Sequence, residues 1–340
     1  MSRPTTFAPS YAHLSALTDL NGVFEHADHD LPRRDRGYCV DDVARALIVV
    51  SREPDQTPEL ARLAEVYLRF LERALAPDGR LHNRMSPSGV FTDVPGTGDW
   101  WGRAIWALGE VHAAARSTGH RRRATRAFAV AGGVRSADLR AMAFAGLGAA
   151  ALIRSGGGNA LAWSLLGAAS AEVFAARSRE WIWPEDRLRY ANGVLPHILL
   201  AAGAQLGRRE YRERGLELLR FLLTVESAGG RISATGTGGR GPDELGSRQF
   251  DQQPIEPAAL AEACACAFEV TGDPTWLVGL ESAWGWFAGR NDVGVALFDP
   301  TIGAGFDGLH PTRRNENRGA ESTIAALATQ QLARRFGVWG

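Results

Sequence analysis

Apolar positions recur along this chain at spacings of three and four. Leu60, Leu63, Tyr67, Phe70, Leu71, Ala74 and Leu75 fall on one side, with Arg62, Glu65, Arg69 and Glu72 on the other, which predicts an amphipathic helix. Thr57, Pro58 and Glu59 supply an N-cap, a first-turn proline and an acid matched to the helix dipole. Comparable one-sided segments run over 122–130, 160–176, 211–225 and 274–288, with 10–18 as the first. Between them lie stretches that are apolar on nearly every side: 42–50, 101–115, 139–153, 185–206, 257–270 and 319–336. Those six are expected to be buried. Alternation of buried and half-buried helices is the mark of helical-pair architectures. Six pairs predict a closed ring, with inner helices lining a barrel and outer helices around it. Strand signals are confined to short hairpin candidates at 79–91 and 230–235, and no Pro/Ser-rich linker divides the chain. Residues 1–340 therefore read as one all-α domain.

Composition narrows the chemistry. With 38 basic and 38 acidic residues the chain is neutral, so no electrostatic case exists for a nucleic-acid or membrane partner. Every one of the basic residues is arginine, which excludes Schiff-base chemistry and a phosphate-loop lysine. Cys39, Cys264 and Cys266 lack framework spacing and predict a reducing compartment. The first residues have no apolar stretch of signal-peptide length, and the longest apolar run, 141–153, is too short to span a bilayer. A cytoplasmic location is expected.

The segments that open the buried helices carry the functional signal. They read GYCVDD, GTGDWW, EWIWPED, FDQQPIE and RRNENRGAE, while the third, GGVRSAD, is bland. In a ring of alternating helix directions all inner N-termini meet at one mouth, so these clusters are expected to converge. Asp42, Asp99, Glu185, Asp251, Glu256 and Glu321 should line one pocket, with Pro184 and Pro257 fixing the starts beside Glu185 and Glu256. An acid at a helix start also stabilises the dipole, and Asp41 can pair with Arg45. The surrounding residue types are what that ordinary role leaves unexplained. Trp100, Trp101 and Trp183, joined by Tyr38 and Tyr190, offer flat faces. Arg103, Asn192, Gln252, Gln253 and Asn317 offer hydrogen bonds. Aromatic faces combined with amides and carboxylates suit a carbohydrate groove.

Glycosidic cleavage needs one protonated and one ionised carboxylate. Glu185, beside Trp183 and Leu188, is expected to be the acid; Asp42, or failing it Glu256, the base. No cofactor or metal is expected. The run Glu25-His26-Ala27-Asp28-His29 reads as solvated loop rather than ligands. The glycine-rich Thr235–Gly241 lacks phosphate-loop context and reads as a mobile lid.

The stretches GVFEHADHDLPRRDRGYCVDDVARALI, GDWWGRAIWALGE, FDQQPIEPAALAEACA and FDGLHPTRRNENRGAEST resemble bacterial (α/α)6-toroid, six-hairpin glycosidase-like proteins. Those occur alone or fused to glycosyltransferase domains. The resemblance implies an (α/α)6 toroid and an oligosaccharide substrate. It implies a shared site of Asp41, Asp42, Arg45, Arg103, Glu185, Gln252, Gln253, Glu256, Asn317 and Glu321. Where relatives read close to LTYDNARLPHAL, this chain has LRYANGVLPHIL, with Ala191 at the acidic position. The expected function is glycoside hydrolysis, with inversion expected from the opposed placement of the two acids. A sugar epimerase needing two histidine bases, or a toroid that binds carbohydrate without turnover, is the alternative.

Overall fold

In a computed structural model of the chain, residues 9–178 and 181–339 are described. Among the described residues twelve α-helices alternate between two layers. The inner six are α2 (Val40–Arg52), α4 (Asp99–Ala114), α6 (Leu139–Leu152), α8 (Val194–Leu206), α10 (Ile255–Thr271) and α12 (Ala320–Phe336). The outer six are α1 (Ala12–Ala16), α3 (Pro58–Ala74), α5 (Thr118–Ala131), α7 (Ala160–Ala175), α9 (Arg209–Val225) and α11 (Thr275–Phe287). Each inner helix packs against the next, and α12 returns to α2 to close the ring. The architecture is the (α/α)6 toroid that the hydrophobic pattern and the resemblance predict.

Local chemistry sets several helix starts. Thr57 Oγ1 accepts from Leu60 N–H at 3.2 Å, as its N-cap placement requires. Asp138 and Asn159 cap α6 and α7 in the same way. The inner layer closes tightest between α4 and α6. A Cβ on Gly102 would strike the Ala141 carbonyl, and one on Gly109 that of Gly148. Small residues here let two backbones approach where larger ones would clash.

The structure differs from expectation at the fourth inner helix and at 235–241. The fourth inner helix begins at Val194, not Glu185, so Pro184 and Glu185 stand in the preceding loop. That loop is held by bonds from its backbone to α10 and to a neighbouring loop, which replace helical ones. The strand content is four two-stranded antiparallel ladders among the described residues: β1 (Ala27–Asp28) with β2 (Leu31–Pro32), β3 (Tyr38–Cys39) with β4 (Arg84–Met85), β5 (Ser227–Ala228) with β6 (Arg231–Ile232), and β7 (Phe298–Asp299) with β8 (Ala304–Gly305). Within segment 79–91 the expected hairpin is present, Met85 bridging Phe91 across a turn at 86–90, and β4 also pairs with β3 on the run into α2. Thr235–Gly241 is pinned at both ends, Gly236 bridging to Gln252 and Arg240 to Leu188, which does not suit a lid. No helix among the described residues is long and apolar enough to cross a membrane.

Candidate active site

The N-termini of the inner helices meet at one end of the barrel, where three arginines link carboxylates from neighbouring helices. Arg45 of α2 donates to Asp42 at 2.7 Å and to Glu321 of α12 at 2.6 Å. Arg103 of α4 lies 3.1 Å from Asp41 and 3.9 Å from Asp99, its guanidinium 4.0 Å from the Phe144 ring centroid. Asp99 is hydrogen-bonded to the Tyr190 hydroxyl. The Tyr190 ring stacks under Arg140 of α6 at 4.8 Å. Arg140 pairs with Glu185 and donates to the Tyr190 carbonyl at 2.7 Å and to Asn192 at 3.2 Å. Asn192 Nδ2 in turn donates to Glu256 of α10 at 3.0 Å. The expected acids Asp41, Asp42, Asp99, Glu185, Glu256 and Glu321 thus belong to one circuit running from α12 to α10.

Arg140 is the member that the sequence reading passed over. It sits in the bland third segment, and its only signal is a charge at the second position of an otherwise apolar, buried helix. Such a group demands partners, and the mouth supplies them.

Burial and pairing divide these carboxyls. Burial pushes Asp42 up to about 6 against the pull of Arg45, with Glu321 adding repulsion. Burial likewise raises Asp99, opposed by Arg103 and the Tyr190 hydrogen bond. Burial would raise Glu321 too, but Arg45 and Arg103 outweigh it and hold that carboxyl below its ordinary value. Glu256 is raised by burial and by the charge of Glu226. Both Glu256 oxygens are nevertheless engaged, accepting from Ala191 N–H at 2.5 Å and from Asn192 N–H at 3.2 Å. Its place is beneath the 190–192 loop, which it positions. Ala191 has φ 48°, a conformation that suits glycine, asparagine or aspartate better than alanine.

Several expected sugar contacts are placed elsewhere. Trp101 is fully enclosed, its indole N–H donating to the Ala131 carbonyl of α5 at 3.1 Å. Trp183 is equally enclosed and stacks on Phe221 of α9. Neither has a face free for a sugar. Trp100 is half-buried, with its N–H on the Leu81 carbonyl at 2.8 Å. Gln252 is buried between the Trp286 indole N–H and Asp292, at 2.9 Å from each. Gln253 Nε2 donates to the Asp251 carbonyl at 3.3 Å. Asp251 itself is exposed in the segment that leads into α10, 2.5 Å from His310, outside the arginine circuit. Asn317 accepts from His29 N–H, and Tyr38 is buried against Phe24 with its hydroxyl on Asp19 at 2.7 Å. Trp101 stands two positions after Asp99, about 200° around α4, which turns it to the core, whereas Trp183 lies in the loop before α8 and packs on α9. Tyr190, 41% exposed, is the expected aromatic that does face the mouth.

The ligating atoms of Glu25, Cys39 and Asp42 lie within 4.8 Å of one another. Burial keeps the Cys39 thiol well above its ordinary value, and that thiol donates to Asp42 at 3.1 Å. With Arg45 on the other Asp42 oxygen, the group is neutralised by protons and a guanidinium, an arrangement that does not suit a cation.

No family model matches the chain, and no curated protein matches it in sequence. Solved structures do match. The cellobiose 2-epimerase of Spirochaeta thermophila superposes with a TM-score of 0.69 at 12% identity, covering 97% of this chain and 95% of its own. A D-mannose isomerase gives 0.70 at 11% identity over 98% and 100%. A family 76 α-mannanase of Bacteroides thetaiotaomicron gives 0.64 at 10% identity over 96% and 94%. At these identities the likeness establishes the fold: the chain is an (α/α)6 toroid of the kind found in hydrolases, epimerases and isomerases acting on carbohydrates.

Proposed function

We propose that the protein is a glycoside hydrolase acting on an oligosaccharide at the N-terminal mouth of the barrel. The observation that carries this reading is that two carboxyls on one rim stand in opposed environments: Asp99, 3.9 Å from Arg103, is raised by burial, and Glu321, bonded to Arg45 at 2.6 Å, is lowered by its arginines. Pairs whose environments push them apart mark acid and base. Asp99, which keeps its proton further up the pH scale, protonates the leaving oxygen. Glu321, ionised and partly exposed, takes the proton of the attacking water. The Tyr190 ring offers the flat face for a sugar. Arg140, with Glu185, and Arg103, with Asp41, supply hydroxyl contacts. Asp42 acts through Arg45, and Glu256 through the 190–192 loop, so both are positioning residues. Six carboxyls against three arginines favour a neutral sugar over a uronate.

Epimerisation, the activity named for one of the similar structures, takes a proton from one face of the sugar and returns it to the other, and so requires a base on each. His26, beside Glu25, is the imidazole near Glu321, while His197 lies deeper in the barrel. One assay separates the readings. A panel of neutral oligosaccharides is incubated with the protein, and both new reducing ends and sugar identity are followed. New reducing ends are expected, with kcat falling about a hundredfold or more in Asp99→Asn and in Glu321→Gln. Altered sugar identity with no new reducing ends overturns hydrolysis in favour of epimerisation. Full activity in Asp99→Asn together with loss in Glu185→Gln moves the proton donor to Glu185. Binding without turnover across the panel overturns catalysis.

A further inference from the structure

A cavity also lies at the other end of the barrel. The C-terminal halves of all six inner helices surround a cavity of about 710 Å³. A narrow apolar throat of about 70 Å³, walled by Ile48, Val49, Phe144 and Ile324, separates it from the mouth. Its wall is polar and largely fixed. Arg52 holds Glu110 through two bonds of 3.1 and 2.9 Å and Glu262 through a third of 2.5 Å. The Trp106 indole, half-buried, lies under Arg52 at 5.7 Å. Edge-on to it stands His197, pushed down to about 3 by burial and by Arg52 and Arg154, hence neutral. Neither ring nitrogen of His197 has a hydrogen-bond partner among the described residues. One donor and one acceptor therefore remain unspent beside the Trp106 indole, against which Arg52 and Phe144 already stack.

A second lobe of about 570 Å³ opens past Arg154 and shares Ala150, Ala201, Cys266 and Glu269 with the first. Four guanidiniums line it, those of Arg154, Arg208, Arg209 and Arg212, against the single acid Glu269, which already pairs with Arg335 at 2.5 Å. Arg208 and Arg209 have exposed partners in Glu210 and Glu213. Arg212 has no carboxylate partner among the described residues, and Arg154 comes no nearer than 3.8 Å to Glu110, which Arg52 occupies. Helix dipoles favour Arg154 and Arg208, which follow the C-terminal ends of α6 and α8, but not the other two. Arg209 and Arg212 open α9, where the dipole disfavours cations and no side chain caps the first turn. The fold brings the groups together by two local devices. The last turn of α6 widens into a π turn, Ile153–Gly157, that swings Arg154 outward. At Gly203 a Cβ would meet Arg212 N at 2.8 Å, so only glycine lets α9 start this close to α8.

We propose that this end of the barrel is a second ligand site, taking a sugar phosphate. The sugar ring occupies the larger lobe against Trp106 and His197, and the phosphoryl group lies between Arg154 and Arg212, where paired guanidiniums suit its oxygens. The test is calorimetric titration of the whole protein with glucose 6-phosphate and mannose 6-phosphate, with glucose and inorganic phosphate as separate arms. Saturable binding of at least one ester is expected, with glucose and phosphate each at least about tenfold weaker. The exposed double variant Arg154→Ala/Arg212→Ala should weaken the ester by about tenfold or more, with an unchanged circular dichroism spectrum. Asp99→Asn, at the opposite end, should leave it unaltered. No saturation by either ester, or unchanged affinity in the double variant, overturns the proposal. So does inorganic phosphate binding as tightly as the ester, which reduces the site to an anion patch.

Discussion

Asp42 should make the protein less stable as pH rises through the weakly acidic range, and its amide should remove that penalty. The carboxyl is 2% exposed, and burial raises it from 3.8 to about 6 in spite of Arg45 at 2.7 Å. A folded-state value above the unfolded one means that the native protein retains the proton longer. Its contribution is complete below about pH 4 and is lost as pH climbs through about 6. A shift of about two units is worth about 3 kcal/mol. In Asp42→Asn the neutral side chain persists at every pH, and Arg45 keeps Glu321. Urea unfolding of both proteins, followed by far-UV circular dichroism at pH 4 and pH 7.5, reads the difference directly. The stability of the variant relative to the native protein should rise by about 3 kcal/mol between the two values. A flat difference, or one that falls with pH, would show that Arg45 outweighs burial and holds Asp42 ionised. The assignment of Asp42 as a buried, partly protonated support would then be refuted.

Other perturbations test the frame around the site. Arg52→Met leaves Glu110, which Arg52 and Arg154 hold down at about 2 despite burial, without its main partner, and should cost about 3–5 kcal/mol in urea unfolding at pH 7. Because that carboxyl is depressed in the native protein, its stabilisation is present above about pH 4.5 and fades towards pH 2, so the cost should shrink as the assay is acidified. Gly109→Ala drives a methyl into the Gly148 carbonyl and should destabilise by about 1–3 kcal/mol or more. Gly167→Ala on α7, with nothing within 4 Å of the added carbon, should instead stabilise by about 0.5–1 kcal/mol; equal effects would contradict the close seam between α4 and α6. Ala191→Gly relieves the left-handed conformation and should raise the unfolding free energy by about 1 kcal/mol, provided the bond from residue 191 to Glu256 is kept.

Properties that depend on near neighbours are legible in the chain before it folds. Helix periodicity follows from residues three and four apart, so eleven of the helical segments were legible close to their observed bounds. The buried or half-buried character of each segment was legible too, because it reflects how many sides are apolar. The ring then follows, since six fully apolar helices have nowhere to go but inside six wetter ones. Convergence of Asp41, Asp42, Asp99, Glu256 and Glu321 needed only the alternation of helix direction. The start of α8 escaped, because the 181–193 loop is held by Glu256 and Arg240, which are distant in sequence. Tertiary structure alone decided which side of each segment met which neighbour. It sent Trp101 towards α5 and Trp183 towards α9, and left Tyr190 to face the mouth. It spent Gln252 on Trp286 and Asp292. It also brought Arg140 into the circuit, and gathered Arg154 and Arg212 beside a cavity at the far end. A rotation of one residue, about 100° around a helix, separates a lining side chain from a core one. That angle is set by packing against neighbouring helices, such as the glycine contacts between α4 and α6, and no local pattern encodes it.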